Sequence, residues 1–253
     1  MTLLAAEGLK KAYGGVQAVA GVSFTVAAGE MVALIGPNGA GKSTCFNLLN
    51  GQVRPDAGRV ILDGVDIAGW RPERVWRMGV GRGFQVAATF GSMTARENLQ
   101  TALMARHGVV WRFWGRAHRL FVAEADALLA RVGLSERADM ACATMAYGEL
   151  KRLELALALV NEPRLLLMDE PAAGMEAGDR PGLMGLVRRM ARDHGCAVLF
   201  TEHDMDVVFS VADRILVMDR GELIAQGPPA VIKADHRVRE AYLGVEEEGV
   251  AGT

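Results

Sequence analysis

The sequence predicts an α/β fold, in which a mostly parallel sheet carries an antiparallel β layer and an inserted helical subdomain. Three observations predict it. Short apolar runs at Met31–Ile35, Leu165–Met168, Ala197–Phe200 and Ile215–Met218 stop at glycine or polar residues, as strands buried on both faces do. Glycine-bounded, strand-like stretches dominate the start of the chain, and from about residue 93 the spacing turns helical. The 253 residues suffice for one large domain. Its core spans 1–92 and 151–253, and the helical subdomain about 93–150.

Leu3 to Leu9 and Val22 to Val26 read as strands, with Gly14-Gly15 turning the chain between them. Tyr13, just before that turn, offers an aromatic face on which an adenine ring can stack; the alternative is a tyrosine packed on a sheet edge. Next comes Gly36-Pro37-Asn38-Gly39-Ala40-Gly41-Lys42-Ser43-Thr44, a full G-x-x-x-x-G-K-[ST] motif between an apolar strand and a helix from Lys42 to Asn50. Glycines let the backbone aim its N–H groups at phosphate oxygens, and the helix N-terminus adds its positive end. Lys42 is placed for the β- and γ-phosphates, Ser43 for Mg²⁺ and Thr44 for the α-phosphate of a nucleoside triphosphate.

Gly58 to Asp66 reads as a hairpin in an antiparallel edge layer. Gly79 to Phe84 is flexible backbone ending at Gln85, which taken alone is a surface glutamine. Thr94-Ala95-Arg96-Glu97 is a capped helix start, and Phe121, Ala125, Leu128, Leu129 and Val132 recur at helical steps. Val109 to Arg119 mixes tryptophans and arginines. It reads either as core aromatics with solvated arginines or as an exposed patch facing a membrane or a partner helix.

Met145-Ala146-Tyr147-Gly148-Glu149 opens a long helix and makes a second possible anion site. Leu165 to Met168 ends in Asp169-Glu170, two carboxylates at the carboxyl end of a parallel strand, where open α/β sheets bind ligands. Asp169 is expected to hold Mg²⁺ and Glu170 to deprotonate an attacking water. A plain acidic turn fits badly, because adjacent carboxylates repel unless a cation is present. Ala197 to Phe200 ends similarly in Thr201-Glu202-His203-Asp204, where His203 is expected to sense and stabilise the γ-phosphate. Ile215 to Ala225 reads as a strand and hairpin, and Glu246-Glu247-Glu248 as a solvated acidic tail.

A net charge of −2 gives no footprint for nucleic acid, so no nucleic-acid partner is expected. Three scattered cysteines read as reduced thiols of a cytoplasmic protein. No stretch approaches the ~18 apolar residues of a membrane span, so a membrane role requires a separate chain.

Taken together, these residues resemble the ATP-binding subunit of an ABC transporter, a P-loop NTPase with a RecA-like core. Tyr13 matches the adenine-stacking position, Gly36 to Thr44 Walker A, Gln85 the Q-loop, and Met145 to Glu149 the signature motif. Leu165 to Glu170 match Walker B with its catalytic glutamate, Ala172 to Glu176 the D-loop, and His203 the switch histidine. The resemblance implies ATP and Mg²⁺ as cofactors, with Lys42, Gln85, Asp169, Glu170 and His203 around them. It also implies two ATPase subunits paired head to tail, the second being the same chain or a sister, so that Ala146 to Glu149 of each close on the partner's ATP. Integral-membrane permease subunits would be driven by that closure, with a periplasmic solute-binding protein served indirectly and the ATPase peripheral on the inner membrane face. Ala146-Tyr147-Gly148-Glu149, Glu170-Pro171-Ala172-Ala173-Gly174-Met175 and Arg239 to Gly244 are similar to the branched-chain amino acid importer group.

Several positions depart from the family pattern. Ala146 replaces a serine and removes one hydroxyl donor, worth about 0.5–1.5 kcal/mol. Ala173 and Glu176 alter the D-loop, and Gly83 stands where threonine is common. A non-transport ABC-type ATPase acting on DNA or the ribosome would usually carry a coiled coil or tandem cassettes, which this chain lacks. A P-loop kinase would leave the signature motif and His203 unexplained.

Overall fold

Alternation within the apolar runs sets the architecture. In the computed structural model, which describes residues 1–83, 89–109 and 119–238, β3 (Met31–Ile35) sends Met31, Ala33 and Ile35 to one hydrophobic cluster and Val32 and Leu34 to another. Strands β7 (Leu165–Asp169), β8 (Ala197–Thr201) and β9 (Arg214–Asp219) divide their side chains in the same way. With β6 (Val80–Gly83) and β10 (Glu222–Gly227) they form a six-stranded sheet in the order β10-β9-β3-β8-β7-β6, parallel except for the β9–β10 hairpin. Both faces of the central strands β3, β7, β8 and β9 are covered, so their interior positions are apolar.

One cover is an antiparallel sheet of β1 (Thr2–Tyr13), β2 (Val16–Ala27), β4 (Ala57–Leu62) and β5 (Val65–Asp66), packed with α1 (Lys42–Leu49) through Phe24, Phe46 and Leu49. The first hairpin is longer than its apolar pattern. Strand β1 runs on through Lys10 and Lys11 because the backbone ladder continues there with irregular register, and a ladder needs no apolar side chain. A short helix, α2 (Pro72–Arg77), leads into β6.

The other cover is helical. Helix α3 (Ala95–Arg106) starts with a full capping box between Thr94 and Glu97, and α4 (Val122–Arg131) buries Ala125, Leu128 and Leu129. Helix α5 (Tyr147–Leu159) places Leu153, Ala156 and Leu159 in the same cluster as β7 residues. It therefore runs through the expected subdomain edge near residue 150, because its own core face is continuous. Helix α6 (Arg180–His194) precedes β8, α7 (Met205–Val211) follows it, and α8 (Pro229–Ala234) and α9 (His236–Val238) end the described chain. Among the described residues, no helix is long and apolar enough to cross a membrane. Gln85, the aromatic core of the 109–119 stretch and the acidic tail lie outside the described residues.

Candidate functional site

The site forms where β3, β8 and β7, adjacent in that order, end on the same edge of the sheet. From β3 the chain enters the loop Gly36 to Thr44. Gly36 has φ +152° and Gly41 φ +101°. A Cβ at either would lie 2.1 Å from a backbone oxygen, that of Met218 or Ala18 respectively. The loop is thus pressed against β9 and β2 by contacts that only glycine permits. Gly41 N-caps α1 without a side-chain bond, and the amides of Gly41, Lys42, Ser43 and Thr44 have no acceptor among the described residues. The Ser43 and Thr44 hydroxyls are likewise without a hydrogen bond there. Four amides and two hydroxyls at one helix mouth form a donor-rich nest suited to phosphate oxygens.

Lys42 Nζ folds back on the loop and donates to the carbonyls of Gly36 (2.5 Å) and Pro37 (3.0 Å). Burial lowers its pKa, while the nearby carboxylates of Glu170 and Asp169 act in the opposite direction. The ammonium and the two carboxylates therefore share one electrostatic site.

The pairing of β7 with β8 sets Asp169 opposite Thr201. The buried Thr201 hydroxyl donates to Asp169 Oδ1 at 2.6 Å and accepts the Glu170 N–H at 3.0 Å. Glu170 itself has φ +50°, a left-handed conformation costly for a non-glycine residue. Its Oε1 lies 2.7 Å from His203 Nε2, so the imidazole carries its proton on Nε2 when Glu170 is ionised. The two carboxylates thus each have a partner, Thr201 or His203.

Beneath this pair lies Glu202, 4% exposed. Its Oε1 accepts the Ala172 N–H at 2.7 Å and its Oε2 the His203 N–H at 3.3 Å. Burial raises its pKa; the Ala172 and His203 amides lower it, Glu170 raises it further, and Arg180 lowers it. Arg180 donates to the Met175 carbonyl and to Asp204 Oδ2, and Asp204 N-caps α7. Sequence reasoning assigned no role to Thr201, Glu202 or Arg180. Thr201 and Glu202 had the signal already used for His203, polar residues at the end of a buried strand.

Tyr13 ends β1 with 47% of its surface exposed and the Lys11 ammonium 5.6 Å from its ring. An exposed ring is available for stacking and is not a packed edge residue.

Ala146, Tyr147, Gly148 and Glu149 stand elsewhere, at the mouth of α5. Ala146, Gly148 and Glu149 line a groove of about 600 Å³ with Arg137, Arg152 and Asp179, and no residue of the phosphate loop reaches it. A Cβ on Gly148 would meet only ordinary contacts within the chain, so its small size leaves room for something outside it. Ala146 has no side-chain acceptor, but its N–H donates to Glu149 Oε2 while Arg137 donates to Glu149 Oε1. The Arg137 bond, then the Ala146 amide, holds the Glu149 carboxyl below its ordinary pKa. The Glu149 carboxyl thus ties the mouth of α5 to Arg137. Tyr147 Oη donates to the Ala173 carbonyl at 3.0 Å, a tie between the signature and D-loop segments that the sequence does not reveal.

Comparison with known proteins gives the family. The ABC transporter family model matches residues 19–173, and that of the branched-chain amino acid ATP-binding cassette transporters matches residues 222–248. The chain is 38% identical over 252 residues to the high-affinity branched-chain amino acid transport ATP-binding protein BraF of Pseudomonas aeruginosa, covering 96% of this chain and 98% of that protein. The corresponding protein LivG of Escherichia coli is equally similar, at 38% identity over 252 residues with the same coverage. A solved ATP-binding cassette of an ABC transporter in its ADP conformation superposes with a TM-score of 0.85 at 31% identity, covering 96% of this chain and 99% of that one. The chain belongs to the ABC transporter family as one of its ATP-binding, ATP-hydrolysing cassettes.

Proposed function

We propose that this chain powers an importer of branched-chain amino acids, hydrolysing Mg·ATP beside a membrane permease. The observation that carries the catalytic reading is the meeting of Lys42, Asp169, Glu170 and His203 at the ends of three adjacent strands. The solute class is supported by similarity to BraF and LivG along nearly the whole chain.

In this reading the free amides of Gly41 to Thr44 cradle the phosphates, and Lys42 exchanges the Gly36 and Pro37 carbonyls for phosphate oxygens. Tyr13 supports the adenine. Hard oxygen donors suit Mg²⁺, and the unbonded Ser43 hydroxyl and the second oxygen of Asp169 fit it; Gln85 is the further ligand that the family resemblance suggests. The ion would offset phosphate charge. His203 turns its Nε2–H from Glu170 to the γ-phosphate, and the freed carboxylate takes a proton from the attacking water.

Ala146 to Glu149 would close on ATP held by a second ATPase subunit, a copy or a sister chain, with the N–H groups of Tyr147, Gly148 and Glu149, unbonded among the described residues, toward its phosphates, since their own phosphate loop does not reach that groove. The permease surface is assigned to a cleft of about 440 Å³ among β6, α2, α3 and α5. Asn50 Nδ2 and Glu154 Oε1, both buried without a partner among the described residues, line it. Orphaned buried polar atoms favour an incoming segment that hydrogen-bonds them. The chain would then sit on the inner membrane face through the permease, with a periplasmic binding protein delivering solute.

The test is uptake of labelled leucine, isoleucine and valine by native-host cells lacking the gene. Uptake should fall and return with the wild-type gene but not with Glu170→Gln. Undiminished uptake in the deleted strain would overturn the solute assignment.

A further inference from the structure

We infer that Glu202 is a positioning residue for hydrolysis, a buried clamp that holds Glu170 and His203 in their working geometry. The inference rests on the catalytic reading of Glu170 and His203 given above.

The chain turns sharply after β7, and Glu170 occupies that turn at φ +50°. Such a conformation persists only where its surroundings over-determine it. On one side Thr201 does so, accepting the Glu170 N–H through its hydroxyl at 3.0 Å and its carbonyl at 3.2 Å. On the other side the next anchored amide is Ala172, two residues on, and its acceptor is Glu202 Oε1 at 2.7 Å. The second oxygen of the same carboxylate receives the His203 N–H at 3.3 Å. One side chain therefore binds the backbone on both sides of the Glu170–His203 contact, which closes at 2.7 Å. The loop carrying Glu170 and the loop carrying His203 come from different strands, and Glu202 is the carboxylate that joins them from below.

The chemistry requires a carboxylate. Both bonds are donated by backbone N–H groups, so both positions need acceptors. A glutamine in the same place offers one carbonyl oxygen and one NH₂, which sets donor against donor at either Ala172 or His203. Asp keeps two acceptors but is one methylene short of spanning both amides. Arg180, which donates to the Met175 carbonyl and to Asp204 Oδ2, ties the same two loops further out and should preserve the fold when Glu202 is changed. Neither Glu202 oxygen is needed by the nucleotide in this arrangement, which separates the clamp from the binding groups.

The experiment compares wild type, Glu202→Gln, Glu202→Asp and Glu170→Gln as full-length chains in the assembly in which wild type turns over. Steady-state ATP hydrolysis, equilibrium ATP binding and thermal midpoint are measured for each. Glu202→Gln should lower kcat on the order of tenfold or more, the loss of one hydrogen bond to a charged group. Its ATP Kd should stay within about threefold of wild type, as expected for a group that does not touch the nucleotide. Glu202→Asp, which can keep one of the two ties, should fall between Glu202→Gln and wild type. Unchanged kcat in Glu202→Gln, or parallel losses of kcat, ATP binding and thermal midpoint in both Glu202 variants, would overturn the inference. Retained turnover in Glu170→Gln would instead remove the reading on which it rests.

Discussion

Thr201→Val isolates one part of the site, because valine replaces the hydroxyl with a methyl of similar size at a position only 1% exposed. Two bonds change. The hydroxyl's donation to the Asp169 carboxylate at 2.6 Å is charge-assisted, and such bonds contribute about 1.5–3 kcal/mol. Its acceptance of the Glu170 N–H at 3.0 Å matters less, because that amide also has the Thr201 carbonyl at 3.2 Å. The net loss should be about 1.5–3 kcal/mol. At roughly 2–4 °C per kcal/mol for a chain of this size, the thermal midpoint should drop by about 3–12 °C. Without the hydroxyl, Asp169 and the strained Glu170 lose a common support, so hydrolysis should fall along with stability. Differential scanning calorimetry and an ATPase assay on the same preparation would show both. A midpoint within about 1 °C of wild type would refute the assignment of this hydroxyl as the tie between the two strands.

Lys42→Ala should weaken ATP binding by about ten- to a hundredfold, the loss of a charge-assisted contact to phosphate, as read by nucleotide titration. Unaltered affinity would place the phosphates elsewhere. Cys45 and Cys196 are buried, and burial pushes each thiol up to about 12; Cys142 is raised in the same direction. A thiol reagent at pH 8 should therefore leave native protein unlabelled and react with all three cysteines only after guanidinium unfolding.

The central strands were legible because a strand buried on both faces must be apolar throughout, as Met31–Ile35 and Leu165–Met168 are. Their order was not, since β8 intervenes between β3 and β7 through hydrogen bonds that leave no mark on composition. The phosphate loop, the Asp169-Glu170 pair and His203 were legible as motifs at strand ends. Thr201 and Glu202 stood in the same stretch but gained their roles from cross-strand register and a buried amide of another loop. The bonds of Arg137 and the Ala146 amide to the Glu149 carboxylate likewise arise from the fold and leave no mark in the motif. The length of the first hairpin escaped the apolar pattern because backbone ladders extend past the core.

The most direct test of the account is steady-state ATP hydrolysis by the purified chain over a range of protein concentrations, for wild type and Glu170→Gln, with ATP binding measured alongside. The account expects both proteins to bind ATP and only the wild type to turn it over, alone or with its sister subunit. Turnover by Glu170→Gln at the wild-type rate would contradict it.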